Sequence, residues 1–170
     1  MKVGDEVMVL PSGLTTQISR IETRDGPLDE AFPPMSVSLS FADEIDISRG
    51  DMICRPHNQP IHGQDVDAMV VWMSESSQLK PGAKYAIKHT TRRTRTMITD
   101  LQYRLDVNTL RRDESAMELK LNEIGRIRMR TTSPLLFDEY RRNRHTGSFI
   151  LIDEATNATV GAGMITGEAM

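Results

Sequence analysis

The chain has 170 residues, of which 38% are hydrophobic and 26% are charged, a balance that excludes collagen-like, low-complexity and strongly disordered proteins. A chain of this length buries enough surface to fold without metals or disulfides. No apolar run approaches the length of a membrane-spanning helix, and the N-terminus lacks the apolar core of a signal peptide. The single cysteine, Cys54, cannot form an internal disulfide. We therefore expect a cytoplasmic protein that does not enter a membrane.

The net charge of −3 is divided unevenly along the chain. Residues 1–58 carry five Lys or Arg against ten Asp or Glu, whereas residues 59–170 carry sixteen against fourteen. Two prolines, Pro56 and Pro60, lie close to this change of charge and favour extended chain. The pattern predicts two units with a boundary near residue 58.

Short stretches of alternating apolar and polar residues, separated by turn residues, fill the first unit. The cleanest alternation lies in residues 35–41, where Met35, Val37, Leu39 and Phe41 share one face and three serines share the other. Such alternation is typical of strands that bury one face. The strands predicted for this unit are 6–10, 17–22, 35–41 and 52–54.

The second unit shows the same kind of pattern over a longer stretch. Residues 91–110 lack Gly and Pro and predict either two strands or one bent strand, and 134–140 is the only segment with helical character. The other predicted strands are 66–73, 85–89, a hairpin of 116–121 with 124–130, and 148–153 with 159–165. Many short strands at regular spacing indicate an all-β sandwich or barrel.

Motifs for catalysis and for cofactor binding are missing from the sequence. It contains neither a P-loop nor a G-x-G-x-x-G motif. Gly161 and Gly163 lie within a strand pattern, where small residues are expected to allow close packing. His57 and His62 are too few to form a zinc site, and Cys54 ends an apolar strand, as a buried and unreactive thiol would. We predict that the chain has no catalytic, nucleotide-binding or metal-binding residue.

Basic residues form three clusters in the second unit. They are Lys88, His89, Arg92, Arg93 and Arg95; Arg126, Arg128 and Arg130; and Arg141, Arg142, Arg144 and His145. The second cluster alternates with apolar residues and so lines one face of a strand, where Glu118 or Glu123 would be cross-strand partners. Three interpretations stay open, namely solvated charge, contact with an acidic protein and contact with nucleic acid. Aromatic residues are few, which disfavours single-stranded nucleic acid.

Several segments resemble one family of GTPase subunits. Residues 3–13 resemble a strand and turn in the second domain of translation-factor-type GTPases. The run Asp43-Glu-Ile-Asp-Ile-Ser-Arg-Gly-Asp51 resembles the closing segment of that domain in the GTPase subunit of sulfate adenylyltransferase. The run Thr146-Gly-Ser-Phe-Ile-Leu-Ile-Asp153, together with 104–109, 119–125 and 159–164, resembles the third domain of the same subunit.

The resemblance implies two consecutive antiparallel β-barrels, like domains 2 and 3 of elongation factor Tu. Residues 1–58 would form the first barrel, which lacks its opening strands, and 59–170 the second, complete barrel. In this family a GTPase domain, which binds GTP and magnesium, drives a partner subunit that makes adenylylsulfate from ATP and sulfate. That domain has no counterpart here, so the resemblance implies a non-catalytic fragment of an enzyme, with no cofactor of its own.

The resemblance also implies partners. They are the catalytic small subunit, the GTPase domain of the same protein and, because 31–37 looks like the actinobacterial form, a fused adenylylsulfate kinase domain. Arg141, Arg142, Arg144 and His145 are predicted to contact a partner, because arginine suits interfaces; a solvated loop is the alternative. The alternative function is that of the RNA-contacting barrels of a translation GTPase.

Overall fold

The structure is a computed structural model that describes residues 1–169. Two compact units divide the chain, one from Met1 to Pro60 and the other from Ile61 onward. The described residues form strands, turns and loops and contain no helix. Accordingly, no helix long and apolar enough to cross a membrane occurs within residues 1–169.

The first unit is an open, antiparallel half-barrel. Its strands are β1 (Glu6–Leu10), β2 (Leu14–Thr23), β3 (Gly26–Leu28), β4 (Ser38–Phe41) and β5 (Met52–Cys54). The order is β3-β2-β1-β5, and β4 also pairs with β2. Within the described chain no pairing joins β5 back to β3 or β4, so the sheet does not close.

Alternation explains which residues of the first unit are buried. Val7, Ile18 and Ile21 form its core, and Leu39 and Phe41 pack against them. The strand predicted from residue 35 begins only at Ser38, because the Met35 N–H donates to the Phe32 carbonyl and turns the chain there. The short strand β3 was not predicted, since the turn residues Gly26 and Pro27 belong to it.

The second unit is a closed barrel of six strands with a short seventh strand at one edge. Its strands are β6 (Ile61–Trp72), β7 (Lys84–His89), β8 (Arg92–Leu105), β9 (Arg112–Asp113), β10 (Ile124–Phe137), β11 (Ser148–Ile152) and β12 (Thr159–Glu168). The order is β10-β6-β12-β11-β7-β8-β9, and β10 pairs with β8 as well as with β6, which closes the ring. The predicted all-β fold, with one incomplete and one complete barrel, is confirmed.

Alternate residues of the barrel strands fill its interior. Trp72, Ile127, Phe137 and Leu151 are fully buried. The Trp72 indole N–H donates to the Ser77 carbonyl at 2.6 Å, which satisfies the one polar atom of this side chain. A buried tryptophan therefore occupies the core without an unpaired donor.

Two predictions for the second unit are wrong. Residues 116–121 are not a strand but a loop, in which Leu119 forms an isolated bridge with Leu79 and is buried in the core of the barrel. Residues 134–137 are the end of β10 rather than a helix, and a register shift between Arg130 and Leu135 accommodates Pro134, which cannot donate to a ladder. Leu135 to Phe137 are all buried, on both faces of the strand, which removes the alternation that marks a strand in the sequence. Residues 92–105 form one strand, β8, with register shifts against β10.

Glycines in β12 allow close packing, as predicted. A Cβ at Gly163 would overlap the ring of Phe149, its cross-strand partner, and one at Gly161 would lie 3.3 Å from the Trp72 ring. Both contacts are with aromatic side chains held in the barrel wall.

We expect Gly163→Ala to lower the free energy of unfolding by about 1–3 kcal/mol, because the added methyl group overpacks the contact with Phe149. The measurement is urea denaturation followed by the fluorescence of Trp72, the single tryptophan. Ala162→Ser, one residue away and half-exposed, is the control and should change stability little. Equal stability of the two variants would contradict the packing role.

Candidate functional site

The arginines of β10 form a stripe on the outer wall of the barrel, named here the arginine stripe (Arg126, Arg128 and Arg130). The register of β10 against β6 places Asp67 opposite Arg128 and Asp65 opposite Arg130. Arg128 Nε lies 3.0 Å from Asp67 Oδ1, and Arg126 Nη2 lies 3.2 Å from Oδ2 of the same carboxylate. Arg130 Nη1 donates to Asp65 Oδ2 at 2.7 Å. Each arginine of the stripe therefore has an acidic partner on the neighbouring strand β6.

The prediction that Glu118 or Glu123 pairs with the arginine stripe is wrong. Glu123 instead accepts from Arg104 at 2.8 Å, and Glu118 lies 2.9 Å from Lys80. The physical reason is that β10 pairs with β6 and β8, while the segment that carries Glu118 is a loop.

Asp67 is the most buried carboxylate of this network, with 6% of its surface exposed. Its oxygens also accept from the Gln102 side chain at 3.3 and 3.4 Å. Burial by itself raises the pKa of this carboxyl, but the hydrogen bonds from Arg128, Gln102 and Arg126 outweigh burial and hold the pKa below its ordinary value. Asp67 is therefore a charged structural link between β6, β8 and β10.

The first basic cluster is dispersed by the fold. His89 points inward and is buried, and its Nε2 donates to the Thr146 carbonyl at 2.7 Å. Burial lowers the pKa of His89, and the hydrogen bond to Thr146 opposes that shift only in part. Arg95 pairs with Glu154, whereas Lys88 points outward and forms no ion pair within residues 1–169.

The third cluster lies in the loop between β10 and β11, named here the 138–147 loop. Asp138 accepts from the Thr146 hydroxyl at 2.7 Å, and the Gly147 N–H donates to the Asn143 carbonyl at 2.8 Å. A Cβ at Gly147 would overlap the backbone of Tyr140, so only glycine allows the two ends of the loop to approach this closely. Together with the bond from His89, these contacts join the two ends of the loop and tie it to β7.

This loop presents its cations to solvent. Arg141, Arg142, Arg144 and His145 are all exposed. The Arg144 guanidinium lies 6.0 Å from the centre of the Tyr140 ring, at the outer limit of a cation–π contact. The structure therefore brings the four predicted site residues together on one side of the second unit.

An open depression runs along the barrel wall beside this loop. Register aligns Lys88, Ile150, Ala162 and Val71 in one row across β7, β11, β12 and β6, and all four side chains face outward. Tyr140, His145 and Met164 border the same space, which has a volume of about 580 Å³ and is named here the outer groove. Tyr140 and Met164 also line a neighbouring depression of about 400 Å³ that includes Arg126, Glu139 and Arg141.

No pattern in the sequence predicts this groove. Lys88 belongs to the first basic cluster and His145 to the third, but the pairing of β7 with β11 brings them to one space. Alternation within β7 and β11 indicates that Lys88 and Ile150 face the same way. Nothing in the sequence indicates that these two strands are neighbours.

Side chains that could support chemistry are sparse. Cys54 is buried, and burial raises the pKa of its thiol, so the reactive thiolate is disfavoured. His57 and His62 are exposed. Residues 1–169 contain no group of three or more His, Cys, Asp or Glu that could hold a metal ion. The arrangement is suited to binding through the basic loop and the outer groove.

The closed barrel and the open half-barrel make this chain an all-β protein of two antiparallel barrel units. Crystal structures of sup35 complexed with GDP and with GMPPNP have the same fold, with TM-scores of 0.88 and 0.89 at 18% sequence identity. Each match covers 100% of this chain and 42% of the sup35 chain.

The chain belongs to the GTP-eEF1A C-terminal domain-like family, whose model matches residues 65–166. The bifunctional enzyme CysN/CysC of Mycobacterium tuberculosis (strain ATCC 25618 / H37Rv) is 61% identical over 165 residues, which are 97% of this chain and 27% of that protein. Sulfate adenylyltransferase subunit 1 of Aeromonas hydrophila is 48% identical over 166 residues, 97% of this chain and 34% of that protein. These matches confirm the resemblance found in the sequence. The chain spans about a third or less of the length of these curated relatives.

We expect Asp67→Asn to lower the free energy of unfolding at neutral pH by about 1–3 kcal/mol, because it leaves Arg126 and Arg128 without their charged partner. Since the pKa of folded Asp67 lies below its ordinary value of 3.8, the stabilisation is complete above that value and is lost as the pH falls through the folded pKa. The stability difference between the two proteins should therefore shrink in acid. Urea denaturation from pH 7 to pH 2.5 measures it, and a difference that is independent of pH would contradict the role of charge.

Proposed function

We propose that this chain is the barrel region of the GTP-hydrolysing subunit of sulfate adenylyltransferase, where it couples GTP hydrolysis to the synthesis of adenylylsulfate from ATP and sulfate. The observation that carries the proposal is the 61% identity with the bifunctional enzyme CysN/CysC over 97% of this chain. The sup35 barrels have the same fold at only 18% identity. Identity far above what the fold requires, over both units, supports a shared role.

In this proposal the barrels bind and transmit, and they perform no chemical step. GTP and its magnesium ion would bind to a GTPase domain elsewhere in the protein, and ATP and sulfate to a catalytic partner subunit. In a bifunctional relative an adenylylsulfate kinase domain would be a further neighbour. The ordered 138–147 loop and the outer groove support a binding role, because both present side chains on a rigid barrel wall.

An RNA-contacting role, as in the barrels of a translation GTPase, is not favoured. Phosphate recognition relies on cations that are free to replace counterions. The arginine stripe, a row of basic side chains on one strand face, is already bound to Asp65 and Asp67.

A chimeric enzyme tests the proposed function. The matching segment of the M. tuberculosis bifunctional enzyme CysN/CysC is replaced by this chain, and GTP-dependent formation of adenylylsulfate is measured with the catalytic subunit present. We expect the chimera to keep most of the activity, because the surfaces that couple the two reactions are retained. The readout is pyrophosphate release with and without GTP.

The matched control is a second chimera that carries the corresponding barrels of sup35. These barrels have the same fold, but only 18% of their residues are identical to those of this chain. It should bind GTP and fail to stimulate adenylylsulfate synthesis. The proposal is overturned if the first chimera folds and binds GTP but behaves like the sup35 chimera.

We also propose that Arg141, Arg142, Arg144 and His145 contact the catalytic subunit. Support comes from their exposure on an ordered loop and from the preference of arginine for interfaces. We expect Arg141→Glu with Arg144→Glu, in the first chimera, to slow association several-fold and to weaken its salt dependence, because rim charges act mainly on the association rate.

The control for this double variant is Lys84→Glu with Arg111→Glu, which makes the same change of charge at exposed positions outside the loop. The catalytic subunit is immobilised on a sensor surface, and the association rate of each chimera with it is measured at several salt concentrations. Equal association rates for the two double variants would contradict the proposal and would show that the loop's cations are solvated charges without a part in binding.

A further inference from the structure

We propose that the outer groove receives a short, extended, acidic segment of the catalytic subunit, with one apolar side chain of that segment as its anchor. This inference rests on the proposed function for the identity of the partner. It adds the place of contact on the barrel and the chemistry of the segment that binds there.

The floor of the groove is apolar and half-exposed. Ile150, Ala162 and Val71 face outward in one row, and Met164 is 37% exposed beside them. Outward positions of a barrel strand are more often polar, so a contiguous row of apolar residues marks a contact site. An apolar side chain laid on this floor would remove both surfaces from water.

The borders of the groove are basic. Lys88 stands at the β7 end of the row, and His145 and Tyr140 border the groove from the 138–147 loop. Among the described residues that line it, none carries a carboxylate. This contrasts with the same barrel at Arg95, Arg104 and the arginine stripe, where each cation has an acidic partner. The missing negative charge would therefore come from the molecule that binds.

The dimensions fit a peptide segment. The row crosses four neighbouring strands, hence three strand spacings or about 14 Å, which about four extended residues span. The groove is open along the wall, so a small metabolite would stay largely exposed to water, whereas ligand clefts enclose most of their ligand. Nucleic acid presents phosphates and sugars outward, and these gain nothing from an apolar floor.

A photo-crosslinking amino acid at the border of the groove tests where the segment binds. The first chimera, with p-benzoylphenylalanine in place of Ser148, a half-exposed residue that lines the groove beside its floor, is irradiated with the catalytic subunit, and the linked peptide is identified by mass spectrometry. We expect a peptide of the catalytic subunit in which Asp or Glu flanks an apolar residue. A crosslink to a basic or neutral segment, to another part of the chimera or to RNA would overturn the inference.

Two substitutions test the two components of the groove separately. Ala162→Trp fills the apolar floor without a change of charge and should weaken binding of the catalytic subunit about tenfold. Lys88→Glu reverses one border charge and should slow association several-fold. The control for the first is Met117→Trp, at a position that is 78% exposed, and for the second Lys84→Glu.

The outcomes separate this inference from the proposed function. If the unsubstituted chimera binds the catalytic subunit and both groove variants bind equally well, the groove is not the contact and the proposed function stands. If the unsubstituted chimera does not bind at all, both fall. Because Lys88 is exposed, Lys88→Glu keeps the test valid even if Ala162→Trp unfolds the barrel.

Discussion

The double pairing of β10 is the constraint on which the second unit depends. This strand is hydrogen-bonded to β6 along one edge and to β8 along the other, and without it the sheet would have two open edges. The same register sets Arg128 opposite Asp67 and Arg130 opposite Asp65, so closure of the barrel also neutralises the arginine stripe. The end of β10 then places the start of the 138–147 loop. Closure, charge pairing and the position of the loop therefore have one physical origin.

Cations on this barrel differ in whether an acidic side chain of the same barrel lies beside them. Arg104 binds two carboxylates, and the arginine stripe binds Asp65 and Asp67. Lys88 and His145 border the apolar floor of the outer groove, and none of the described residues that line this groove carries a carboxylate. Burial of Asp67 makes its pairs part of the fold, whereas exposed pairs contribute little to stability. A basic cluster in the sequence thus has opposite meanings depending on what the fold places beside it.

Comparison at two levels of identity separates fold from function. The sup35 barrels match the whole chain with a TM-score of 0.88 at 18% identity, which shows how little of the sequence the architecture needs. Alternation of apolar residues and glycines at close contacts, such as Gly163 against Phe149, are enough to specify such a barrel. The relatives at 48% and 61% identity share far more of the sequence than that. The proposed role therefore rests on residues that the fold itself does not require.

Alternation along the sequence by itself determined the all-β class and strands such as β1, β7 and β11, because each of these depends on neighbours in the chain. The small residues of β12 indicated close packing, but the ring that Gly163 contacts belongs to another strand. The sequence also predicts the four basic residues of the 138–147 loop as partner contacts, because they lie close together in the chain; this stays a prediction. Only the tertiary structure decided that 135–137 belong to a strand and are buried on both faces, that Asp67 rather than a nearby glutamate binds Arg126 and Arg128, and that Lys88 and His145 line one groove. The physical reason is that strand register and barrel closure join residues far apart in the chain, and no local pattern records which strands become neighbours.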